Sequence, residues 1–229
     1  MFRKLKSALN KLYNHIFYYS YHSKSAKEVF EDIYKKNSWR GESHSGPGSD
    51  LEQTRLIREG LGRLIADYQI NSVLDVPCGD WFWMKAMNLQ GVKYVGAEIV
   101  EEIISRNQQY ASEQVSFQFL NLLEPGIPAH DLVVCRDCLV HFSYRDVFKA
   151  LNNLKNSGSQ YLLTTTFPGR TNYNIITGNW RPIDLQAAPF NLQPPIKVIN
   201  EGCTEGNGNY ADKSLGLWDL QKLKQSWGV

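Results

Sequence analysis

The sequence predicts an α/β protein, a three-layer α/β/α sandwich whose mostly parallel, seven-stranded sheet ends in a C-terminal antiparallel β-hairpin. Short apolar segments of strand length alternate with amphipathic segments from residue 72 to residue 167, which indicates a parallel sheet covered on both faces. The links between these segments are short, as they are in βαβ units. An irregular stretch follows, and then two β-rich segments joined by a Gly/Asn-rich loop predict the hairpin.

The strands of this sheet are predicted from apolar and β-rich runs. Five lie at 72–76, 93–99, 115–121, 131–135 and 161–167, and the hairpin strands lie at 196–200 and 214–220. Helices are predicted at 27–36, 51–69, 101–110 and 144–155, with one more between the first two strands. Asp50 is the predicted N-cap of the helix at 51–69.

The composition is that of an ordinary folded domain. The 229 residues are 42% hydrophobic and 21% charged. A net charge of +2 gives no basic footprint, so no nucleic acid partner is expected. Four cysteines are too few for a disulfide scaffold at this length, and no apolar run reaches transmembrane length. We therefore expect reduced thiols and a cytoplasmic location.

Residues 1–40 are predicted to form an N-terminal helical extension to a domain that spans 41–229. Apolar residues within 2–16 share one helical face, and the basic residues before Glu28 are not balanced by any acid. Such a helix either makes peripheral contact with an anionic membrane or packs on its own domain or on a partner subunit. We favour packing; the pattern does not indicate an oligomeric state.

The segment at 72–80 carries the strongest functional pattern. An apolar strand ends at Asp75 and turns through Pro77, Cys78 and Gly79, which is how open parallel sheets form a ligand crevice at the carboxyl ends of their strands. Gly79 lets a ligand approach the backbone closely. An acid here suits the ammonium group of an amino-acid moiety, whereas a dinucleotide pocket needs more glycines to hold pyrophosphate. The alternative is that Asp75 only caps a turn.

The next strand, at 93–99, also ends in an acid. Glu98 follows Asp75 by 23 residues, close to the ~20 residues expected for the acid that binds ribose hydroxyls in a βαβ unit. A carboxylate accepts hydrogen bonds from both hydroxyls. Glu98 alone could be a solvated strand end, but the two acids together favour a nucleoside site.

These segments resemble the motifs of the class I S-adenosylmethionine (SAM)-dependent methyltransferases, a family with a Rossmann-like fold. The matching segments, in the family's order, are 73–79, 95–98, 119–123 and 131–141. The resemblance covers roughly 72–220 and implies a SAM-dependent methyltransferase, with Asn121 near the adenine where the family usually has Asp. The implied cofactor-binding residues of these segments are Asp75, Pro77, Cys78, Gly79, Asp80, Glu98, Asn121, Leu122 and Arg136.

A Gly/Ser/Pro loop at 43–49 precedes these motifs. Related enzymes place a lid over the cofactor at this point of the chain. The resemblance therefore implies that Ser45, Gly46 and Ser49 bind the SAM carboxylate through backbone N–H groups and hydroxyls. An ordinary surface loop is an equal alternative.

Asp137 and His141 are the candidate catalytic residues. They are four residues apart just after the fourth strand, so they would share a face if this segment were helical. His141 could act as the general base towards a hydroxyl acceptor, with Asp137 orienting it. Alternatively, Asp137 caps a helix and His141 packs against the sheet. Further residues that could line an acceptor pocket are Asn172, Trp180, Arg181 and Glu201.

The predicted function is transfer of a methyl group from SAM to oxygen or nitrogen of a small-molecule or glycan acceptor. Nucleic acid amine methyltransferases would carry an Asn/Asp-Pro-Pro-aromatic sequence after the fourth strand, where this chain has residues 135–138. The alternatives are a SAM-fold binding protein without turnover and a nicotinamide-dependent oxidoreductase, which the single-glycine loop disfavours. Cys135 and Cys138 are interpreted as buried thiols rather than a zinc or redox site, so no metal is expected.

Overall fold

The computed structural model describes residues 21–38, 43, 45–223 and 227. The basic amphipathic helix predicted within 2–16 lies outside these residues. Among the residues described, no helix has both the length and the apolar character needed to cross a bilayer.

The sheet has seven strands in the order β3-β2-β1-β4-β5-β7-β6. The first five strands pair in parallel, whereas β7 runs antiparallel to both β5 and β6. This topology confirms the predicted mostly parallel sheet and its closing antiparallel hairpin. The strands are β1 (Ser72–Asp75), β2 (Lys93–Glu98), β3 (Val115–Phe119), β4 (Leu132–Cys135), β5 (Tyr161–Thr166), β6 (Lys197–Asn200) and β7 (Ser214–Asp219).

Four α-helices are described, and helices cover both faces of the sheet. Buried leucines and small residues of one helix pack against one face, and Ile57, Leu61 and Leu64 of another pack against the opposite face. The two apolar layers confirm the three-layer arrangement. The helices are α1 (Ala26–Lys35), α2 (Arg55–Asp67), α3 (Glu101–Asn107) and α4 (Tyr144–Asn156); α4 forms the first layer and α2 the second.

Two helix starts show how local chemistry sets the boundaries. Ser25 caps α1 in a full capping box with Glu28, which fixes the helix where the sequence predicts it. The prediction that Asp50 caps the next helix is wrong. Residues 51–54 form turns, α2 begins only at Arg55, and the Asp50 main-chain carbonyl accepts a bond from the Thr54 hydroxyl at 2.9 Å.

The prediction of a helix between β1 and β2 is also wrong. This segment is a loop with a single 3₁₀ turn, Met84–Ala86. Trp81 has a left-handed backbone (φ 58°), which interrupts a helix, and its buried ring lies 5.4 Å from that of Phe117. The aromatic side chains fill the space beside the sheet that a helix would otherwise cover.

The topology brings the candidate site to one edge of the sheet. The order reverses between β1 and β4, whose neighbours lie in opposite directions along the sheet. Ligands of such sheets bind at this switch point, beside the carboxyl ends of the strands. Because β7 is antiparallel, its amino end lies at the same edge, and Ser214 pairs with Thr166 at the end of β5.

Candidate functional site

A cavity opens at the switch point, where the sequence resemblance implies that a methyl donor binds, and we call it the donor cavity. Its walls come from the carboxyl ends of β1, β2 and β4, from the loop before α2, and from Phe30 and Tyr34 of α1. The structure brings together here nearly all of the residues that the sequence motifs predict. Those that line the donor cavity are Ser45, Ser49, Asp75, Pro77, Cys78, Gly79, Asp80, Glu98, Asn121, Leu122, Arg136, Asp137 and His141.

Asp75 is a buried carboxyl at the end of β1. Its Oδ2 accepts a hydrogen bond from the Tyr94 hydroxyl at 2.7 Å. Burial raises the pKa of Asp75 to about 7, against the opposing effects of the Tyr94 bond and of the Arg136 charge. The carboxyl is therefore about half protonated at neutral pH, and a cationic ligand would favour its ionised form.

Glu98 ends β2 in the same way. Its Oε1 accepts from the main-chain N–H of Ile99 at 2.7 Å and of Val100 at 3.3 Å. Burial raises the pKa of Glu98 to about 7, and bonds from these amides and from the backbone of Gly79 oppose that rise. The carboxyl is thus fixed in orientation by its own backbone while it lines the donor cavity.

The loop after β1 is held against the loop before α2. Gly79 has φ 52°, and a Cβ atom there would lie 2.1 Å from Oγ of Ser45, so only glycine fits. Asp80 accepts hydrogen bonds from the hydroxyls of Ser43 at 2.8 Å and Ser45 at 3.3 Å. The predicted lid residue Ser45 therefore lies directly over the first motif.

Arg136 follows β4 and supplies a buried cation to the donor cavity. Its Nη2 donates to the main-chain oxygen of Gly48 and to Oε2 of Glu201, both at 2.8 Å. Its buried Nε has no hydrogen-bond partner among the described residues. An unpaired donor of this kind is costly unless a ligand acceptor, such as a carboxylate, meets it.

Asn121 and Leu122 lie at the opposite side of the donor cavity, after β3. The Asn121 amide oxygen accepts from the Leu123 N–H, and its amide nitrogen donates to Glu124, both at 3.0 Å. The amide is therefore fixed by its own turn, and its oxygen retains a second lone pair. Buried Leu122 provides an apolar surface beside it.

A second cavity adjoins the first, and we call it the acceptor cavity. It shares Ser45, Asp137 and His141 with the donor cavity. Gly46, predicted to contact the cofactor, lines the acceptor cavity and not the donor cavity. The other residues of its wall are Pro47, Gly48, Phe167, Trp180, Cys203, Glu205, Gly206, Tyr210 and Lys213.

The prediction that Asp137 and His141 share a helical face is wrong. Asp137 has a left-handed backbone (φ 51°), Leu139–His141 is a 3₁₀ turn, and the next helix begins only at Tyr144, capped by Ser143. The Asp137 carboxylate lies 2.6 Å from Nζ of Lys213. Although burial opposes it, the charges of Lys213 and Arg136 hold the Asp137 pKa well below its usual range.

His141 is oriented by a main-chain carbonyl. Its Nδ1 lies 2.9 Å from the oxygen of Asn179, so Nδ1 carries the proton and Nε2 carries the lone pair of the neutral ring. Burial lowers the pKa of His141 below its usual value, while the Asn179 bond and Asp137 oppose the shift. The imidazole is therefore neutral at physiological pH and lies where the two cavities meet.

Of the late-segment residues considered from sequence, only Trp180 lines the acceptor cavity. Arg181 is fully buried and donates to the carbonyl oxygens of Leu139 and Val140. Asn172 binds the carbonyl oxygens of residues 184 and 188. Glu201 forms a buried ion pair with Arg136.

Sequence reasoning missed Lys213 and Glu205, two of the three residues with carboxylate or ammonium groups in the acceptor cavity, together with Phe167 and Tyr210. A signal for Lys213 was present, because it immediately precedes a strand of the predicted antiparallel hairpin. The amino end of such a strand lies at the same edge as the carboxyl ends of its parallel neighbours. Phe167 carried a signal too, because it ends the strand predicted at 161–167 and so lies at the same edge. Glu205 and Tyr210 lie in a segment without regular periodicity that gave no such signal.

The cysteines behave as predicted. Cys78, Cys135, Cys138 and Cys203 are all buried free thiols. Burial raises the pKa of Cys78, which keeps its thiol protonated. Within the described part of the chain, no group of three or more His, Cys, Asp or Glu side chains is arranged to hold a metal ion.

No family model matches the chain, and no curated protein matches it. Solved structures do. The methyltransferase domain of bacterial CtHen1 (its CN form) aligns at a TM-score of 0.54 with 10% identity, over 74% of this chain and 100% of that one. The PH0226 protein from Pyrococcus horikoshii OT3 aligns at 0.51 with 17% identity, over 72% and 90%. Magnesium protoporphyrin IX methyltransferase from Synechocystis PCC 6803, with bound SAM, aligns at 0.49 with 16% identity, over 67% and 81%.

At these identities, the first two alignments establish a shared fold, and the third does not extend that conclusion. The strand order, the closing hairpin and the cavity at the switch point agree with the architecture that the sequence motifs imply. The chain has a Rossmann-like fold, which it shares with the methyltransferase domain of bacterial CtHen1.

Proposed function

We propose that the protein is a SAM-dependent methyltransferase that transfers a methyl group to a small-molecule or glycan acceptor. One observation carries the proposal: two buried carboxyls with pKa values about 7 share the donor cavity, which meets a second cavity at His141. A donor and an acceptor held in adjoining cavities satisfy the positional requirement of a group transfer. The methyltransferase domain of bacterial CtHen1, which shares the fold, supports the same reaction class.

The residues of the donor cavity fit the three parts of SAM. Glu98 would accept from the ribose hydroxyls, and Asp75 would pair with the ammonium group. The orphaned Nε of Arg136, with the hydroxyls of Ser45 and Ser49, would bind the carboxylate. Bound there, SAM supplies an electrophilic methyl group on a sulfonium.

Asn121 and Leu122 would contact the adenine, as the resemblance implies. The turn that fixes the Asn121 amide leaves one lone pair for an exocyclic amine, and Leu122 offers apolar contact to a ring face. Phe30 and Tyr34 of α1 add aromatic surface to the same cavity. The pairing of polar and apolar groups matches a nucleoside and leaves no cradle of glycines for pyrophosphate.

His141 would take the proton of an acceptor hydroxyl on Nε2, because Nδ1 is engaged by Asn179. The charged groups that face it are Asp137, Lys213 and Arg181. Asp137 favours the imidazolium that forms, and the two cations oppose it. Since Asp137 is itself paired with Lys213, its role would be electrostatic rather than that of a direct orienting partner.

We expect both SAM and S-adenosylhomocysteine (SAH) to raise the melting temperature. A ligand at a hundred-fold excess over its Kd stabilises the native state by about 2.7 kcal/mol. NADH serves as the control and should have no effect. A shift with NADH alone would favour a nicotinamide enzyme. Binding of SAM with no SAH produced in the presence of any acceptor would favour a binding protein without turnover.

We expect SAM affinity to rise with pH between about 6 and 8, with protons released on binding. The ionised forms of Asp75 and Glu98 recognise SAM, so each carboxyl, with a pKa of about 7 in the free protein, must lose its proton. Affinity should fall by up to about tenfold per pH unit for each group below its pKa. Calorimetry in buffers of different ionisation enthalpy measures the proton release.

The Tyr94→Phe variant sharpens this test. Loss of the hydroxyl removes a bond that lowers the Asp75 pKa, so the rise in affinity should move to higher pH. Tyr161→Phe, at the opposite end of the sheet, is the matched control and should keep the wild-type profile. Affinity that is independent of pH in the wild-type protein would contradict the assigned roles of both carboxyls.

We expect His141→Gln to retain SAH affinity and to lower turnover by about 10²- to 10⁴-fold, the usual contribution of a general base. The wild-type rate should rise with pH through an apparent pKa below 6.5, because burial lowers the pKa of His141 and its neutral form is active. The variant should lose that step. His130→Gln, before β4 at the far edge of the sheet, is the control. Near wild-type turnover in His141→Gln would place the base elsewhere.

A further inference from the structure

The acceptor cavity contains a cluster of three aromatic rings that lines one wall. Trp180 and Tyr210 pack edge-to-face at 5.0 Å, and Phe167 contacts both rings at just over 6 Å. Trp180 is half-buried. Edge-to-face packing fixes the rings in place, so the wall is preformed.

A cation already occupies part of this cluster. The guanidinium of Arg170 lies 5.9 Å from the Phe167 ring centre and 5.8 Å from that of Tyr210, and it is held by a 2.6 Å ion pair with Asp212. Among the described residues, no cation lies over Trp180. The Trp180 ring is therefore the aromatic surface left for a ligand in the cavity.

The polar groups of the cavity include donors and an acceptor. No described residue accepts a hydrogen bond from the Trp180 indole N–H or from the Tyr210 hydroxyl. The partly exposed carboxylate of Glu205 lines the same cavity and supplies an acceptor. An aromatic surface flanked by donors and acceptors is what a ligand needs if it has an apolar face and a rim of hydroxyls.

The charges of the cavity disfavour anionic acceptors. Asp137 and Lys213 neutralise one another at 2.6 Å, and Arg136 is paired with Glu201 at 2.8 Å. The negative charge of Glu205 is left to repel a carboxylate or phosphate. An uncharged ligand avoids this penalty.

We propose that the acceptor cavity binds the pyranose ring of an uncharged sugar, whose apolar face stacks on Trp180. One sugar hydroxyl then faces His141. The hydroxyl oxygen forms a bond to the methyl carbon as the bond from sulfur to that carbon breaks, and the hydroxyl proton passes to Nε2 of His141. The products are a sugar methyl ether and SAH. This inference rests on the proposed methyl transfer and specifies its acceptor.

The test measures sugar binding separately from turnover. The probes are methyl pyranosides of neutral hexoses and 6-deoxyhexoses, a neutral disaccharide, a methyl glucuronide and a methyl glucosaminide. Saturation-transfer NMR is recorded with and without SAH. At least one neutral pyranoside should bind, and the anionic methyl glucuronide should not. Stronger binding of the disaccharide would point to the end of a glycan, and stronger binding of a monosaccharide would point to a free sugar.

Trp180→Ala should weaken the binding of that sugar at least tenfold and leave SAH affinity unchanged, and Trp180→Phe should restore part of it. Tyr173→Ala is the control, since Tyr173 is an exposed aromatic residue of the same segment that lines neither cavity. With SAM, the methyl group should appear on a hydroxyl of the neutral sugar.

Each failure has a different meaning. If SAH binds but no neutral sugar does, or if only a charged sugar binds, the acceptor class is wrong while the methyltransferase proposal stands. Sugar binding that Trp180→Ala leaves unchanged would also overturn the assignment of the cavity. If neutral sugar binds on Trp180 and SAH does not bind at all, the donor site is wrong, whereas the sugar site stands.

Discussion

A network of four charges, three of them buried and Asp137 partly exposed, fixes the two cavities relative to one another. Arg136 pairs with Glu201 at 2.8 Å, Lys213 pairs with Asp137 at 2.6 Å, and the two pairs cross-contact at 3.4 Å. The residues follow β4 and β6 and precede β7, so the network joins the parallel and antiparallel parts of the sheet. Removing one member of a buried pair typically costs about 3–5 kcal/mol, because it leaves a buried charge uncompensated.

The network also divides the chemistry between the cavities. Arg136 lines the donor cavity, and its buried Nε–H has no hydrogen-bond partner among the described residues. The Asp137–Lys213 pair forms a neutral wall of the acceptor cavity. The donor cavity also contains two carboxyls outside the network, those of Asp75 and Glu98. Burial raises the pKa of each to about 7. A cationic ligand would stabilise their ionised forms.

Strong local patterns predicted the fold and which residues come together in the donor cavity. Apolar runs that end in Asp75 and Glu98 mark both the strands and the place where their carboxyl ends meet, because strand direction alone brings those ends to one edge.

Local sequence patterns failed where contacts between distant parts of the chain decide the conformation. The segment that begins at Trp81 is a loop because its aromatic rings pack against the sheet. Asp137 has a left-handed rather than a right-handed helical backbone, and its carboxylate contacts Lys213, which lies 76 residues away along the chain. The wall of the acceptor cavity is formed by segments that are distant in sequence and meet only in the folded protein. Of its residues, sequence reasoning therefore identified only Trp180 and His141 in their proposed roles.

The most direct measurement is a crystal structure of the protein with SAH. We expect SAH in the donor cavity, with its ribose hydroxyls within hydrogen-bond distance of Glu98. Its amino-acid end should face Asp75 and the Nε of Arg136, and its sulfur should point towards the junction at His141. Density for SAH at another site, or in the donor cavity with the ribose away from Glu98, would contradict the proposed donor site.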